Sequence, residues 1–286
     1  MSLAYLPFMI KSIFTIEIEM NSVSKHLFLL LFFFSSITIA LAQKDTNTIT
    51  VLTYNIYHGE DPANRGTSNL DEIAALILQY SPDVVAMQEV DSMTTRTAGV
   101  YGKKVDLVQE LAKLTGYSGY FAKAMDYAEG GYGEGLLVKG EAIFSTQNLP
   151  IPHGGEPRAA AWAEFKLSND KKIAIAGTHF CHEFEENRIA QVKEISKVAG
   201  QSNLPVIWAG DLNLRPDSEA YRSIIGTWKD AGSDPTPYSP TFGSLKDGPR
   251  IDYVWFDPSK FTLESYQVLD VPFSDHYPVL VTLKFK

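Results

Sequence analysis

The stretch Pro205-Val-Ile-Trp-Ala-Gly-Asp-Leu-Asn213 joins a short apolar run to a pair of polar residues. Residues 206–209 follow a proline, which cannot continue a helix, so this run predicts a buried strand. Gly210 allows the backbone to turn closely, and Asp211 and Asn213 leave the strand two residues apart. Their side chains point the same way if the strand period continues. Together a carboxylate and a carboxamide can coordinate a cation or accept a hydrogen bond from water, and the carboxamide can donate a hydrogen bond to a developing oxyanion.

Other predicted strands also end, or begin, at polar residues. Each of these residues has a structural explanation when it is taken alone, such as a turn, a rim position or an exposed ion pair. Because neighbouring strand ends meet at one edge of a sheet, however, the repeated pattern predicts one site. The residues that share this placement are Asn55, Glu89, Arg158, His179, Asp252, Asp275 and His276.

Between these strands the apolar spacing changes to that of amphipathic helices. We expect helices over residues 69–80, 103–114, 183–198 and 217–225, and a loop that contains Arg96 and Tyr101. Strands and helices in this order predict an α/β fold, and the absence of a Pro/Gly/Ser-rich linker predicts one large domain.

The N-terminal part predicts export. Residues 20–42 contain a lysine, a long apolar run and an Ala-Leu-Ala cleavage signal, which together indicate a signal peptide; a permanent anchor is the alternative. The apolar run is shorter than the roughly 20 residues that a membrane span needs. Residues 1–19 are then an upstream extension, and residues 43–286 form the folded domain. The expected location is the periplasm or the outside of the cell, with a monomeric protein and no membrane span.

Composition limits the chemistry. The net charge is −9, so the chain is not built to hold polyanions by bulk electrostatics. Cys181 is the only cysteine, which excludes disulfides within the chain and favours a small buried residue. His179 and His182 have a zinc-like spacing but no further ligands nearby. Carboxylates and a carboxamide instead suit Mg²⁺ or Mn²⁺, and Ca²⁺ is also compatible.

The ordered motifs resemble the endonuclease/exonuclease/phosphatase superfamily over essentially residues 48–285. This superfamily includes deoxyribonucleases, apurinic-site endonucleases, inositol-polyphosphate 5-phosphatases and neutral sphingomyelinases. The motifs are Thr-Tyr-Asn55, Met-Gln-Glu89-Val, Glu-Pro-Arg158, Thr-His179, Gly-Asp211-Leu-Asn213, Arg-Ile-Asp252-Tyr and Ser-Asp275-His276-Tyr-Pro. The resemblance implies a four-layered α/β sandwich of two packed mixed sheets flanked by helices, and a metal-dependent phosphoesterase.

The resemblance also implies roles for residues at matching positions. Asn55 and Glu89 would bind a catalytic divalent ion, with Asp275 as a nearby or second-position ligand. Asp211 and Asn213 would position the attacking water and stabilise the transition state. His276, oriented by Asp252, would be the general base or would bind phosphoryl oxygens. His179 would face the phosphate from the other side, where Arg158 could contact it.

One stretch departs from the family pattern Gly-Asn-Ala-Ile-Leu-Ser-Arg. It aligns with residues 133–139, where Glu134 replaces the asparagine, or alternatively with residues 140–145. Substrate contacts implied by that strand therefore do not carry over. Nuclease activity and hydrolysis of a lipid, inositol or sugar phosphate both stay open, with the lack of a basic patch favouring a small or lipid phosphoester. A binding module that retains the fold is the alternative from another class. A calcineurin-like phosphatase would need a Gly-Asn-His-Asp/Glu motif, which the sequence lacks.

Overall fold

The computed structural model describes residues 47–234 and 238–286. The predicted upstream extension and signal peptide therefore lie outside the described residues. The strands are β1 (Thr48–Asn55), β2 (Val84–Ser92), β3 (Ser118–Tyr127), β4 (Gly130–Val138), β5 (Ala142–Leu149), β6 (Arg158–Lys166), β7 (Lys172–His179), β8 (Val206–Asp211), β9 (Lys229–Asp230), β10 (Asp252–Phe256), β11 (Phe261–Val268) and β12 (Val279–Phe285). The helices are α1 (Leu70–Tyr80), α2 (Thr95–Tyr101), α3 (Leu107–Thr115), α4 (Glu185–Gln201) and α5 (Glu219–Ile224).

The strands form two six-stranded mixed sheets. The first has the order β11-β12-β1-β2-β4-β3, and the second has the order β5-β6-β7-β8-β10-β9. Each sheet contains one parallel pair near its centre, β1 with β2 and β7 with β8, while the other neighbours are antiparallel. Because parallel strands need a crossover, the chain places a helix between the members of each parallel pair, α1 in the first sheet and α4 in the second.

Three apolar layers hold the sheets and helices together. The central layer lies between the two sheets and includes Val51 of β1, Ile175 of β7 and Val281 of β12. A second layer packs helices α1 and α3 against the outer face of the first sheet. A third packs α4 and α5 against the outer face of the second sheet and contains Trp208 and Trp255. This arrangement confirms the predicted four-layered α/β sandwich.

Several element boundaries differ from the prediction; the helix expected from residue 103, for example, begins at Leu107. β2 does not end at Glu89 but continues to Ser92 after a β-bulge. The expected loop around Arg96 and Tyr101 is wrong, because these residues lie in the short helix α2. Its N-cap is Thr94, whose side chain accepts from the backbone N–H of Thr97. Within the described residues no helix is long and apolar enough to cross a membrane.

Candidate active site

The inward-facing positions of the second sheet change from apolar to polar at one edge. In β8, Ile207 and Ala209 belong to the layer between the sheets, and Asp211 follows with the same period of two. In β10, Val254 belongs to that layer and Asp252 precedes it. The antiparallel register pairs Asp211 directly with Asp252. The strand pattern that builds the core therefore also delivers two buried carboxylates to one edge.

Asp211 lies at the centre of the polar edge and is almost fully buried. Its Oδ2 accepts from Asn55 Nδ2 at 3.1 Å and lies 3.4 Å from His179 Nε2 and 3.6 Å from His276 Nε2. Its Oδ1 accepts from the backbone N–H of Asn213 at 3.0 Å. Burial raises the pKa of Asp211 to about 7, although the charge of His276 and these hydrogen bonds oppose the rise. One carboxylate thus joins groups from both sheets.

His276 pairs with Asp252 on one side of Asp211. Its Nδ1 lies 3.0 Å and 3.2 Å from the two carboxylate oxygens of Asp252. Burial lowers the pKa of His276, but the charges of Asp252 and Asp211 and the hydrogen bond to Asp252 outweigh it and raise the pKa to about 10. The two carboxylates therefore favour the protonated imidazole.

Thr241 fixes the backbone of this pair, and it is not among the site residues predicted from the sequence. Its hydroxyl oxygen accepts from the backbone N–H groups of Ile251 at 3.0 Å and Asp252 at 3.1 Å. Its carbonyl oxygen accepts from the backbone N–H of Tyr277, next to His276. The sequence indicates only that Thr241 lies in a loop-rich stretch. Its role is not predictable, because its hydrogen-bond partners are ten or more residues away in the sequence.

Arg158 and two histidines occupy the other side of Asp211. Arg158 Nη1 lies 3.2 Å from His179 Nδ1, and Arg158 Nη2 lies 3.0 Å from His182 Nδ1. Asn213 Nδ2 lies 2.9 Å from His179 Nε2. A neutral ring can accept at one nitrogen only, so His179 accepts from either Arg158 or Asn213. Burial, followed by the nearby charges of Arg158, His276 and His182, holds the pKa of His179 well below its usual value.

Glu89 reaches the site through a distortion of β2. The pairing of β2 with β4 shifts register between Met87 and Val90, and Glu89 has a φ of 54°. A bulge of this kind re-aims a side chain at the cost of local backbone strain. Glu89 Oε1 accepts from Asn55 Nδ2 at 3.0 Å, which brings two of the predicted metal ligands together.

Glu134 lies opposite this bulge and is a further residue without a role in the sequence-based prediction. It stands in β4 between Gly133, which pairs with Val90, and Gly135, which pairs with Met87. Its side chain is fully buried, and neither carboxylate oxygen has a hydrogen-bond partner. Burial raises the pKa of Glu134 well above its usual value, while the charge of Arg158 opposes the rise. The departure from the family pattern thus places an additional carboxyl group beneath the site.

These groups surround a cavity of about 340 Å³. Its lining consists of Glu89, Tyr132, Glu156, Arg158, His179, His182, Asp211, Asn213, Phe242, Ile251, Asp275 and His276. A larger cavity of about 620 Å³ beside β5 contains none of the predicted site residues. Size alone therefore does not identify the site, whereas the convergence of titratable groups does.

Two sets of residues offer ligands for a divalent cation. Asp211, Asp252 and His276 present ligand atoms within 4.8 Å of one another. In that set, however, Asp252 and the Nδ1 of His276 already bond each other. The predicted set of Asn55, Glu89 and Asp275 offers only oxygen donors, with Glu89 and Asp275 lining the cavity. Its donor chemistry fits a hard cation such as Mg²⁺ better.

Similarity to known proteins agrees with this geometry. The structure resembles an endonuclease/exonuclease/phosphatase from Beutenbergia cavernae, with a TM-score of 0.67, 22% identity, and coverage of 84% of this chain and 72% of the other. A family protein from Bacteroides vulgatus gives a TM-score of 0.65 and 23% identity, with coverage of 84% and 99%. The mannosyl-6-phosphatase of Bacteroides thetaiotaomicron gives a TM-score of 0.66 and 20% identity, with coverage of 83% and 100%.

At these identities the structural likeness establishes the fold alone, and no curated protein sequence matches the chain. The sequence model of one family matches directly, over residues 52–276, and confirms the resemblance drawn from the motifs. Because this match spans well over half of the 286 residues, the chain belongs to the Endonuclease/Exonuclease/phosphatase family.

Proposed function

We propose that this member of a family of phosphoester hydrolases is a divalent-metal-dependent enzyme that cleaves its substrate by in-line attack of an activated water. The proposal rests on the groups that surround Asp211. Asn55 from the first sheet and two histidines from separate segments lie within 3.6 Å of its Oδ2. A buried carboxylate held among such groups at a cavity wall is typical of a catalytic centre.

Asn55, Glu89 and Asp275 would hold the cation. When bound, a divalent cation neutralises charge on the phosphoryl oxygens and polarises the ester for attack. The bulge in β2 and the end of β1 place Glu89 beside Asn55, whose amide nitrogen donates to Glu89 Oε1 at 3.0 Å. Asp275 lies next to Ser274, whose hydroxyl donates to the backbone carbonyl of Asn55 at 2.8 Å and so fixes the two segments together.

The remaining residues divide into water-activating and phosphoryl-binding groups. Asp211 would orient the attacking water and accept its proton, since its raised pKa lies near neutral pH. Asn213, fixed to Asp211 through its backbone, would donate to the transition state. The raised pKa of His276 favours phosphoryl binding over the general-base role. Arg158 and His179 would contact the phosphoryl group from the opposite wall.

A small or lipid phosphoester is the substrate class that we favour over nucleic acid. Among the residues that the structure describes, the cavity lining contains one guanidinium and no lysine, together with the aromatic rings of Tyr132 and Phe242. A nucleic acid would need further cationic contacts along its backbone. The mannosyl-6-phosphatase among the structural neighbours supports testing a phosphorylated sugar.

We further propose a secreted or periplasmic location, which rests on the signal peptide predicted over residues 20–42. The alternative function is a binding module that retains the fold. The presence of every residue of the predicted catalytic set at or beneath one cavity favours the enzyme.

The test is hydrolysis of a phosphodiester, a phosphomonoester and a mannosyl 6-phosphate by the purified protein with Mg²⁺, with Mn²⁺ and with EDTA. We expect metal-dependent turnover that EDTA abolishes and that Asp211→Asn lowers about 10³-fold or more while the fold persists. Cation binding should be followed separately by calorimetry. Cation binding without turnover of any phosphoester would favour the binding module, and equal turnover by Asp211→Asn would contradict the assignment of Asp211.

A further inference from the structure

Arg158 forms an ion pair with a carboxylate of the same chain. Glu156 Oε1 lies 2.7 Å from Arg158 Nη1. The arginine side chain is only 2% exposed, whereas that of Glu156 is 31% exposed and lines the cavity. A carboxylate and a phosphoryl group present similar oxygen pairs to a guanidinium. Glu156 therefore occupies the place where a phosphoryl group would meet Arg158.

The partly exposed side chain of Glu156 can move away from Arg158. Gly154 and Gly155 have φ values of 73° and 94°, a region that favours glycine. Gly154 is nevertheless held by hydrogen bonds at both its N–H and its carbonyl, and Pro157 restricts the backbone of Glu156, so only the side chain of Glu156 needs to move. Glu156 can therefore leave Arg158 without disturbing the strand.

The guanidinium, in contrast, is held from other directions. His179 Nδ1 and His182 Nδ1 lie 3.2 Å and 3.0 Å from its two terminal nitrogens. The buried carboxyl group of Glu134 lies near enough for the charge of Arg158 to act on it. Loss of the bond to Glu156 therefore leaves Arg158 in place with a free donor facing the cavity.

We propose that Glu156 is a displaceable intramolecular anion that an incoming phosphoryl group must remove from Arg158. The inference rests on the proposed function, because it takes Arg158 as a phosphoryl contact. Glu156 then sets the affinity of the site for phosphate, and it neutralises Arg158 between turnovers.

The test compares inorganic phosphate binding to the wild type, Glu156→Gln and Glu183→Gln by calorimetry. Glu183 is a matched control, because its side chain is 43% exposed and contacts His182, which lines the same cavity, rather than Arg158. We expect the Kd for phosphate to fall about fivefold in Glu156→Gln, the scale of a partly exposed ion pair, and to change less than twofold in Glu183→Gln. Both variants should also be introduced into an Arg158→Gln background, where Glu156→Gln should no longer tighten binding.

An unchanged or higher Kd in Glu156→Gln would overturn the proposal, because Glu156 would then be a support for Arg158. Equal tightening in Glu183→Gln, or tightening that persists without Arg158, would also overturn it by indicating general charge repulsion. These results are independent of catalysis. If the phosphate affinities change as expected but no substrate is turned over, only the proposed function is refuted. If a substrate is turned over but the affinities do not change as expected, only the role of Glu156 is refuted.

Discussion

His276 and His179 lie on opposite sides of Asp211, and both are almost fully buried, yet their surroundings carry opposite charge. His276 faces the carboxylates of Asp252 and Asp211, and its pKa is raised to about 10. His179 faces the guanidinium of Arg158, and its pKa is held well below the usual value. Burial acts in the same direction on both rings, so the sign of the neighbouring charge decides the difference. Two identical side chains can thereby supply a charged donor and a neutral ring to one cavity.

The largest effect should follow from exchanging His276 for an uncharged residue. We expect His276→Gln to lower kcat by about 10²- to 10⁴-fold, because the phosphoryl group loses a charged donor that Asp252 orients. His179→Gln should lower kcat less, since the ring that it replaces is neutral. Steady-state kinetics with the best substrate of the panel checks both, and circular dichroism checks folding. Equal losses in the two variants would remove the distinction between the two sides.

Next in size is the dependence of stability on pH in the metal-free protein. The folded-state pKa of His276 is raised from 6.5 to about 10, so its stabilising contribution is complete below pH 6.5 and is lost as the pH rises through 10. We expect the free energy of unfolding in EDTA to fall by roughly 3.5 kcal/mol between pH 7 and pH 10. Urea titrations at each pH measure this free energy. The difference between the wild type and His276→Asn gives the contribution of His276. If the free energy of unfolding of His276→Asn depends on pH as steeply as that of the wild type, other groups cause the dependence.

The smallest effect concerns Thr241, which positions the Asp252 side of the site. Thr241→Val keeps the shape but removes the acceptor for the N–H groups of Ile251 and Asp252. We expect kcat to fall about fivefold, with KM unchanged, because Asp252 would orient His276 less well. Thr241→Ser retains the hydroxyl and should restore the rate. A loss of similar size in Thr241→Ser would mean that packing of the methyl group matters instead.

The fold was predictable where local signals were strong. The apolar run after Pro205 predicted a buried strand over residues 206–209, and β8 spans Val206–Asp211 with every residue buried. The short helix α2 was not predictable, because seven residues carry little periodicity and its support comes from the pairing of Arg96 with Asp91. The continuation of β2 past Glu89 depends on a bulge, which the sequence of that strand does not reveal.

The site divides in the same way. Strand ends predicted which polar residues would meet, since the period of two carries the inward face from the apolar core to the edge. Sequence reasoning also proposed Asp252 as the partner of His276, because adjacent Asp275 points elsewhere in an extended chain. Thr241 and Glu134 were missed because their surroundings come from distant segments: Thr241 bonds the backbone of Asp252, and Glu134 is buried near the charge of Arg158. Such contacts depend on register between distant segments.

The stacked indoles of Trp208 and Trp255 give the protein its own optical probe. The rings lie 5.6 Å apart at 14°, and the two residues face each other in the register that also pairs Asp211 with Asp252. Closely stacked chromophores couple their electronic transitions and produce a paired signal in circular dichroism. That signal would disappear if these two strands separated, even where the rest of the chain stayed ordered. Spectroscopy could therefore report the integrity of the strand pair beneath the site in every variant, without a label or a substrate.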